Sequence, residues 1–134
     1  AAFGAASEIA YAGMKENIAR MAALRERAVS RLERDIPELR VISSADSAPH
    51  ILSISLPGWR SEVLMNFLEA RGVYVSRSSA CKKGGRSHVL EAVGLDAKTI
   101  DGAIRVGLSR LTTEEDIDAL CDALRDAHDT LAHR

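Results

Sequence analysis

The sequence predicts an α/β sandwich of the α+β kind, in which helices cover a small sheet of mixed or antiparallel strands. Three observations carry that expectation. Apolar residues recur at three- and four-residue steps in two long stretches, one near each end of the chain. Between them lie short runs in which β-branched or leucine residues alternate with small polar ones. Pro57-Gly58, Gly72 and Gly94 interrupt these runs with residues suited to turns. No repeat, low-complexity tract or Pro/Gly/Ser linker divides the 134 residues, a length suited to one hydrophobic core.

In chain order, Ile9, Met14, Ile18, Met21, Leu24, Ala28 and Leu32 mark one amphipathic helix from about Phe3 to Ile36. Gly13 weakens it locally, and Pro37, which lacks an amide hydrogen, places its end near Asp35. Leu39 to Ser43 and His50 to Leu56 read as strands. After the Pro57-Gly58 turn, Val63, Leu64, Phe67 and Leu68 give Ser61 to Arg71 an apolar helical face that stops at Gly72. Val73 to Ser76 reads as a short strand, Ser87 to Val93 as a short helix closed by Gly94, and Gly102 to Leu108 as a strand. In the last helix Thr112 and Glu115 have capping-box spacing, and Ile117, Leu120, Cys121, Leu124 and Leu131 form the buried stripe. Trp59 is read as a turn aromatic covering the core edge.

Composition narrows the function. The formal net charge of -1 gives no global field toward nucleic acid or an anionic membrane, and 4% aromatic residues offer few platforms for stacking single-stranded bases. No apolar run approaches the roughly 20 residues that cross a bilayer. Two cysteines 40 positions apart, without CxxC spacing or a secretory leader pattern, lead to a cytoplasmic expectation. His50, His88, His128 and His133 lack metal-ligand spacing, so no metal site is expected. The run Glu114-Glu115-Asp116 is explained by the helix dipole, which favours carboxylates in a first turn.

The two thiols differ in setting. Cys121 sits on a helical apolar stripe and reads as a small core residue. Cys81 lies in a polar, glycine-bearing stretch from Arg77 to Ser87, with Arg77, Lys82, Lys83 and Arg86 within five residues. Positive neighbours favour the thiolate over the thiol, which makes Cys81 a candidate nucleophile. Spacing alone favours an ordinary exposed loop cysteine.

The order of the segments decides between these readings. Val73-Tyr74-Val75-Ser76 is followed by Ser78-Ser79-Ala80-Cys81, Gly84-Gly85, and Ser87-His88-Val89-Leu90-Glu91-Ala92-Val93-Gly94-Leu95. Then come Ile104-Arg105-Val106-Gly107-Leu108-Ser109-Arg110 and Thr112-Thr113-Glu114-Glu115-Asp116-Ile117-Asp118. This series resembles the carboxy-terminal part of cysteine desulfurases of the NifS/IscS-like group, within the class V aminotransferase family of pyridoxal-phosphate enzymes. The resemblance implies that residues 1–134 are the small domain of a fold-type I enzyme, with 1–36 a long interdomain helix and the large cofactor domain outside this chain.

It also implies roles for two residues. Cys81 matches the cysteine that attacks the sulfur of cofactor-bound L-cysteine, leaving alanine and an enzyme persulfide, and Gly84-Gly85 would serve as its hinge. Arg105 matches the arginine that pairs with the substrate α-carboxylate, a task suited to a planar fork of donors. Arg77, Ser78, Lys82 and Lys83 depart from the small residues frequent in the family, while the stretch as a whole favours the mobile-loop group. None of Lys15, Lys82, Lys83 or Lys98 has the context of the family's cofactor lysine. Pyridoxal phosphate is therefore expected to be bound by the large domain, with this fragment alone inactive. L-cysteine, a sulfur-acceptor or iron-sulfur scaffold protein, and a homodimeric parent enzyme follow as implied partners. A non-catalytic sulfur-carrier or partner-binding module, and a related class V transaminase or lyase domain, stand as alternatives.

Overall fold

Gly13 divides the amino-terminal amphipathic stretch into two helices, α1 (Ala2–Ala12) and α2 (Met14–Asp35), where the periodicity predicts one. The structure, a computed structural model, describes residues 1–77 and 86–131. The helical ladder nearly continues through the break, since the Gly13 amide donates to the Ile9 carbonyl and the Asn17 amide to the Gly13 carbonyl. A second difference is burial. Phe3, Ile9 and Tyr11 are largely exposed and Met14 and Ile18 half-exposed, whereas Leu24, Ala28 and Leu32 lie in the core. The apolar period thus runs well beyond the part of the helix that the rest of the chain covers.

The sheet contains β1 (Arg40–Val41), β2 (Ile51–Ser55), β3 (Ser76–Arg77) and β4 (Ala103–Gly107), in the order β1-β2-β4-β3. All three pairings are antiparallel. All four strands are shorter than expected, β1 and β3 most of all. After Val41, the amides of Ile42 and Ser43 both donate to the Ser53 carbonyl, which ends the regular ladder. The strand-favouring run Val73-Tyr74-Val75 lies outside β3, and the Val73 amide is committed to the Leu68 carbonyl at the end of the preceding helix. Local hydrogen bonding there overrides strand propensity.

Alternation along β4 sorts its residues onto two faces. Ile104 and Val106, opposite Ile54 and Leu52, join the main core with α2, α3 (Ser61–Glu69) and α6 (Glu114–Thr130). Ala103 belongs to a smaller cluster with Leu90 and Ile100, packed by Ile42 and Leu95. Leu90 comes from α4 (His88–Ala92), capped by the Ser87 hydroxyl, and Ile100 from α5 (Ala97–Asp101), capped by the Asp96 carboxylate. The sequence reading missed α5, although Asp96 before Ala97 is a usable cap signal. Trp59 is buried in the main core, and Gly58, Gly72 and Gly94 have positive φ.

The final helix begins one residue later than expected. The capping box is formed by Thr113 and Asp116, while the Thr112 hydroxyl accepts the Ser109 amide instead. Thr112-Thr113 offers two caps and Glu115-Asp116 two acceptors at the same spacing, so the preceding turn selects the pair.

A close backbone approach ties α5 to the sheet. The Ser55 hydroxyl donates to the Thr99 carbonyl at 2.6 Å, and the Leu56 amide donates to the Gly102 carbonyl at 3.3 Å. A Cβ on Gly102 would overlap the Leu56 carbonyl oxygen. Gly102→Ala should therefore lower stability by about 1–3 kcal/mol, read as a reduced urea midpoint with an unchanged m-value. An unaltered midpoint would mean that the turn relaxes freely.

Helices α2 and α6 are joined by charge as well as packing. Arg27 donates to both Asp118 oxygens, at 3.1 and 2.8 Å, and Arg31 reaches Asp118 at 2.9 Å and Asp122 at 2.5 Å. The hydrogen bond from Arg27 holds the Asp118 carboxyl below its ordinary value of 3.8, and Arg34 does the same for Asp35. A depressed folded pKa means that the unfolded chain takes up protons first. This contribution is full above the unfolded carboxylate range and disappears as pH falls below about 4 through the folded values. The unfolding midpoint should accordingly drop on acidification in that window, and Asp118→Asn should shrink the drop. Because the pairs are partly exposed, salt should shrink it too.

Candidate functional site: the Arg105 face of the sheet

Arg105 is the middle residue of β4 and sits in register with Ser53 of β2 on one side and Ser76 of β3 on the other. By alternation it shares a face with Ala103 and Gly107, opposite the main core. Among the described residues, that face is covered at one end only. Ala103 is buried beneath the cluster from α4 and α5, Arg105 is half-buried, and Gly107 is exposed. Arg105 thus stands where the covering ends.

The guanidinium is anchored on one edge. Its Nε donates to the Ser76 hydroxyl at 3.2 Å, and that hydroxyl contacts the Arg105 carbonyl oxygen at 3.4 Å. Among the described residues, no carboxylate pairs with Arg105 and no acceptor is hydrogen-bonded to its Nη nitrogens. Seven other arginines, Arg27, Arg31, Arg34, Arg40, Arg77, Arg86 and Arg125, pair with acids, and the buried Arg25 gives its Nη hydrogens to the Ser44 and Ser47 carbonyls. A half-buried fork without an acid is equipped to take a carboxylate from outside.

Cys81, with Ser78 to Ala80, Lys82, Lys83 and Gly84-Gly85, lies outside the described residues. The two arginines flanking that stretch are described, and both are neutralised. Arg77 reaches Glu62 of α3 at 2.6 Å, and Arg86 makes a two-pronged bridge to Asp101 at the end of α5, both bonds 2.8 Å. The hydrogen bond from Arg86 holds the Asp101 carboxyl below its ordinary range. The sequence reading counted Arg77 and Arg86 toward a positive field at Cys81. Their partner carboxylates cancel much of that field at a distance; Lys82 and Lys83 lie outside the described residues. Glu62 and Asp101 are far from Cys81 in sequence, and only the tertiary arrangement reveals them.

Cys121 is in the core as expected, 1% exposed, with its Sγ 4.0 Å from the Ala28 carbonyl oxygen. Burial pushes its pKa up to about 11, so it is a protonated thiol at neutral pH. An alkylating reagent should leave Cys121 unmodified in the native protein and label it only on unfolding, as read by peptide mass mapping. Native labelling of Cys121 at the rate of a small-molecule thiol would contradict this packing.

The described residues do not fit a complete pyridoxal phosphate site. Lys15 and Lys98, the lysines among the described residues, are both exposed, on α2 and α5, and an exposed amine lacks the enclosure that cofactor chemistry requires. Among the described residues, no group of three His, Cys, Asp or Glu is arranged to hold a metal ion. No described helix is long and apolar enough to cross a membrane.

The packing of helices on a four-stranded antiparallel sheet is shared with solved structures of the NifS-like class. One titled NifS-like protein matches 92% of this chain at 33% identity with a TM-score of 0.80, and the chain covers 31% of it. A NifS-like protein from Rickettsia africae matches 96% of the chain with a TM-score of 0.84 at 23% identity, which speaks for the fold alone. The aminotransferase class-V family model matches residues 1–120, and the chain belongs to that family. Similar relatives include the cysteine desulfurase IscS of Clostridium botulinum, 33% identical over 126 residues and 90% of this chain. Another is an IscS-like cysteine desulfurase of Mycobacterium tuberculosis, 33% identical over 124 residues and 89% of this chain. The chain spans about a third of the length of these relatives.

Proposed function

We propose that this chain is the small domain of a cysteine desulfurase that converts L-cysteine to L-alanine, with Arg105 holding the substrate carboxylate and Cys81 taking the sulfur. The observation that carries the reading is the Arg105 fork: central on a strand, half-buried, tied at Nε, and without an acid partner among the described residues. Relatives named cysteine desulfurase support the same assignment. Two charge-assisted hydrogen bonds from Arg105 would fix the substrate's carboxylate end and leave its thiol to be presented to the nucleophile.

In the transfer step the Cys81 thiolate attacks the substrate sulfur. A sulfur–sulfur bond forms as the substrate carbon–sulfur bond breaks, and the electron pair goes to the carbon, which takes up a proton. The products are alanine and a persulfide on Cys81, which a second thiol in an acceptor protein can relieve of its outer sulfur. Cys81 follows Ser76 by five residues and precedes Arg86 by five, and a five-residue tether reaches at most about 17 Å.

Pyridoxal phosphate supplies the electron-withdrawing chemistry of such enzymes, and in this reading its lysine, ring and phosphate contacts come from polypeptide beyond this chain. The exposed apolar residues Phe3, Ile9 and Tyr11 on α1 support contact with that polypeptide. An iron-sulfur scaffold or other sulfur acceptor, and a homodimeric, cytoplasmic whole protein, belong to the same proposal.

Product analysis tests it. The complete gene product, given pyridoxal phosphate and L-cysteine, should form alanine and gain the mass of one sulfur atom on the peptide containing Cys81. A keto acid in place of alanine would assign a transaminase instead, and no turnover would leave a binding module.

A further inference from the structure

Ser76 is the one side chain that the described residues place on the Arg105 guanidinium. The contact is reciprocal. Arg105 Nε donates to the Ser76 hydroxyl, and the hydroxyl's own hydrogen is directed to the Arg105 carbonyl oxygen. The two residues are direct cross-strand partners, so the bond is set by the antiparallel register of β3 and β4. Both residues are half-buried, which limits competition from water.

An arginine can meet a carboxylate in two planar ways: side-on through Nε and one Nη, or end-on through both Nη nitrogens. Among the described residues, the Ser76 oxygen occupies Nε and leaves the end-on pair. We propose that Ser76 is a positioning residue that holds Arg105 by its Nε and thereby presents the Nη1/Nη2 edge to a substrate carboxylate. The inference rests on the proposed role of Arg105 and adds to it the residue that sets the fork's direction. Ser53, the other cross-strand neighbour, does not substitute, because its recorded hydrogen bonds run through its backbone to Ser43 and Ile42.

The test compares Ser76→Ala, Ser76→Thr and Arg105→Ala in the complete cofactor-loaded protein. Ser76→Ala should raise KM for L-cysteine roughly 5- to 30-fold with kcat little changed, as expected for loss of uniform binding. Ser76→Thr keeps the hydroxyl and suits a strand, so it should restore KM to near the parent value. A second readout isolates the carboxylate. Binding of L-alanine and of L-alaninamide, followed by the cofactor's absorbance, should show Ser76→Ala weakening the acid while leaving the amide unchanged.

Equal weakening of both ligands, or a threonine variant as impaired as the alanine one, would overturn the positioning role and leave general packing. If Arg105→Ala weakens L-alanine selectively and Ser76→Ala does not, the Ser76 inference fails alone. If Arg105→Ala itself leaves the acid-to-amide preference intact, the carboxylate role of Arg105 fails first.

Discussion

Cys81→Ser in the complete protein should reduce single-turnover formation of alanine from L-cysteine by about 10³-fold or more, measured without added thiol. The size of the effect follows from the chemistry. A serine hydroxyl is almost entirely protonated at neutral pH, and its oxygen forms no stable counterpart of a persulfide. The variant should still bind pyridoxal phosphate and L-cysteine, because the residues proposed for those tasks lie elsewhere. Retained cofactor absorbance with lost sulfur transfer separates a missing nucleophile from a misfolded protein. Normal alanine output from Cys81→Ser would reject the proposed nucleophile and move attention to the transaminase reading.

Arg105→Ala should cost about 10²- to 10³-fold in kcat/KM for L-cysteine, which corresponds to losing two hydrogen bonds between charged groups in a partly shielded site. Lysine should recover only part of this. An ammonium supplies charge without the planar fork, and it has no Nε–H for the Ser76 hydroxyl to hold. The loss should depend on the substrate carboxylate, so Arg105→Ala and the parent protein should bind L-alaninamide about equally. A full rescue by lysine would show that Arg105 acts as a point charge only, and the geometric role assigned to its fork would then fall.

How far the site was legible in sequence differs between its two residues. The flanks of Arg105, Ile104 and Val106 before Gly107, mark a strand with arginine on the opposite face from its apolar neighbours, and β4 is built that way. The identity of its partner was not legible. Ser76 lies 29 residues upstream, at the end of the expected strand Val73 to Ser76, of which Ser76 alone lies in β3, and only the β3–β4 pairing brings the two together. For Cys81 the lysines and arginines around it suggested an activated thiol. Charge counted along a sequence omits partners folded in from a distance, and Glu62 and Asp101 are such partners for Arg77 and Arg86.

The elements follow the same division. Alternation and glycine punctuation located β2, α3 and β4 to within about two residues, because these features act over a single turn or strand. They misjudged what depended on a neighbour. The helix stripe continued to Ile9 and Met14 although no described part of the chain covers them, and the cap of α6 fell on Thr113 because Thr112 was taken by Ser109.

By itself, then, the sequence determined the kinds of elements, the core positions from Leu24 to Leu124, the buried inert Cys121 and the arginine with a strand to stand on. Those outcomes depend on residue chemistry and spacing of a few positions, which a linear chain displays openly. Tertiary structure alone decided the antiparallel order β1-β2-β4-β3, the covering of the Ala103 end of the Arg105 face, and the serine that grips its Nε. Each depends on which distant segments lie side by side. Folding brings those segments together through hydrogen-bond register and shared burial, neither of which is written at any single position.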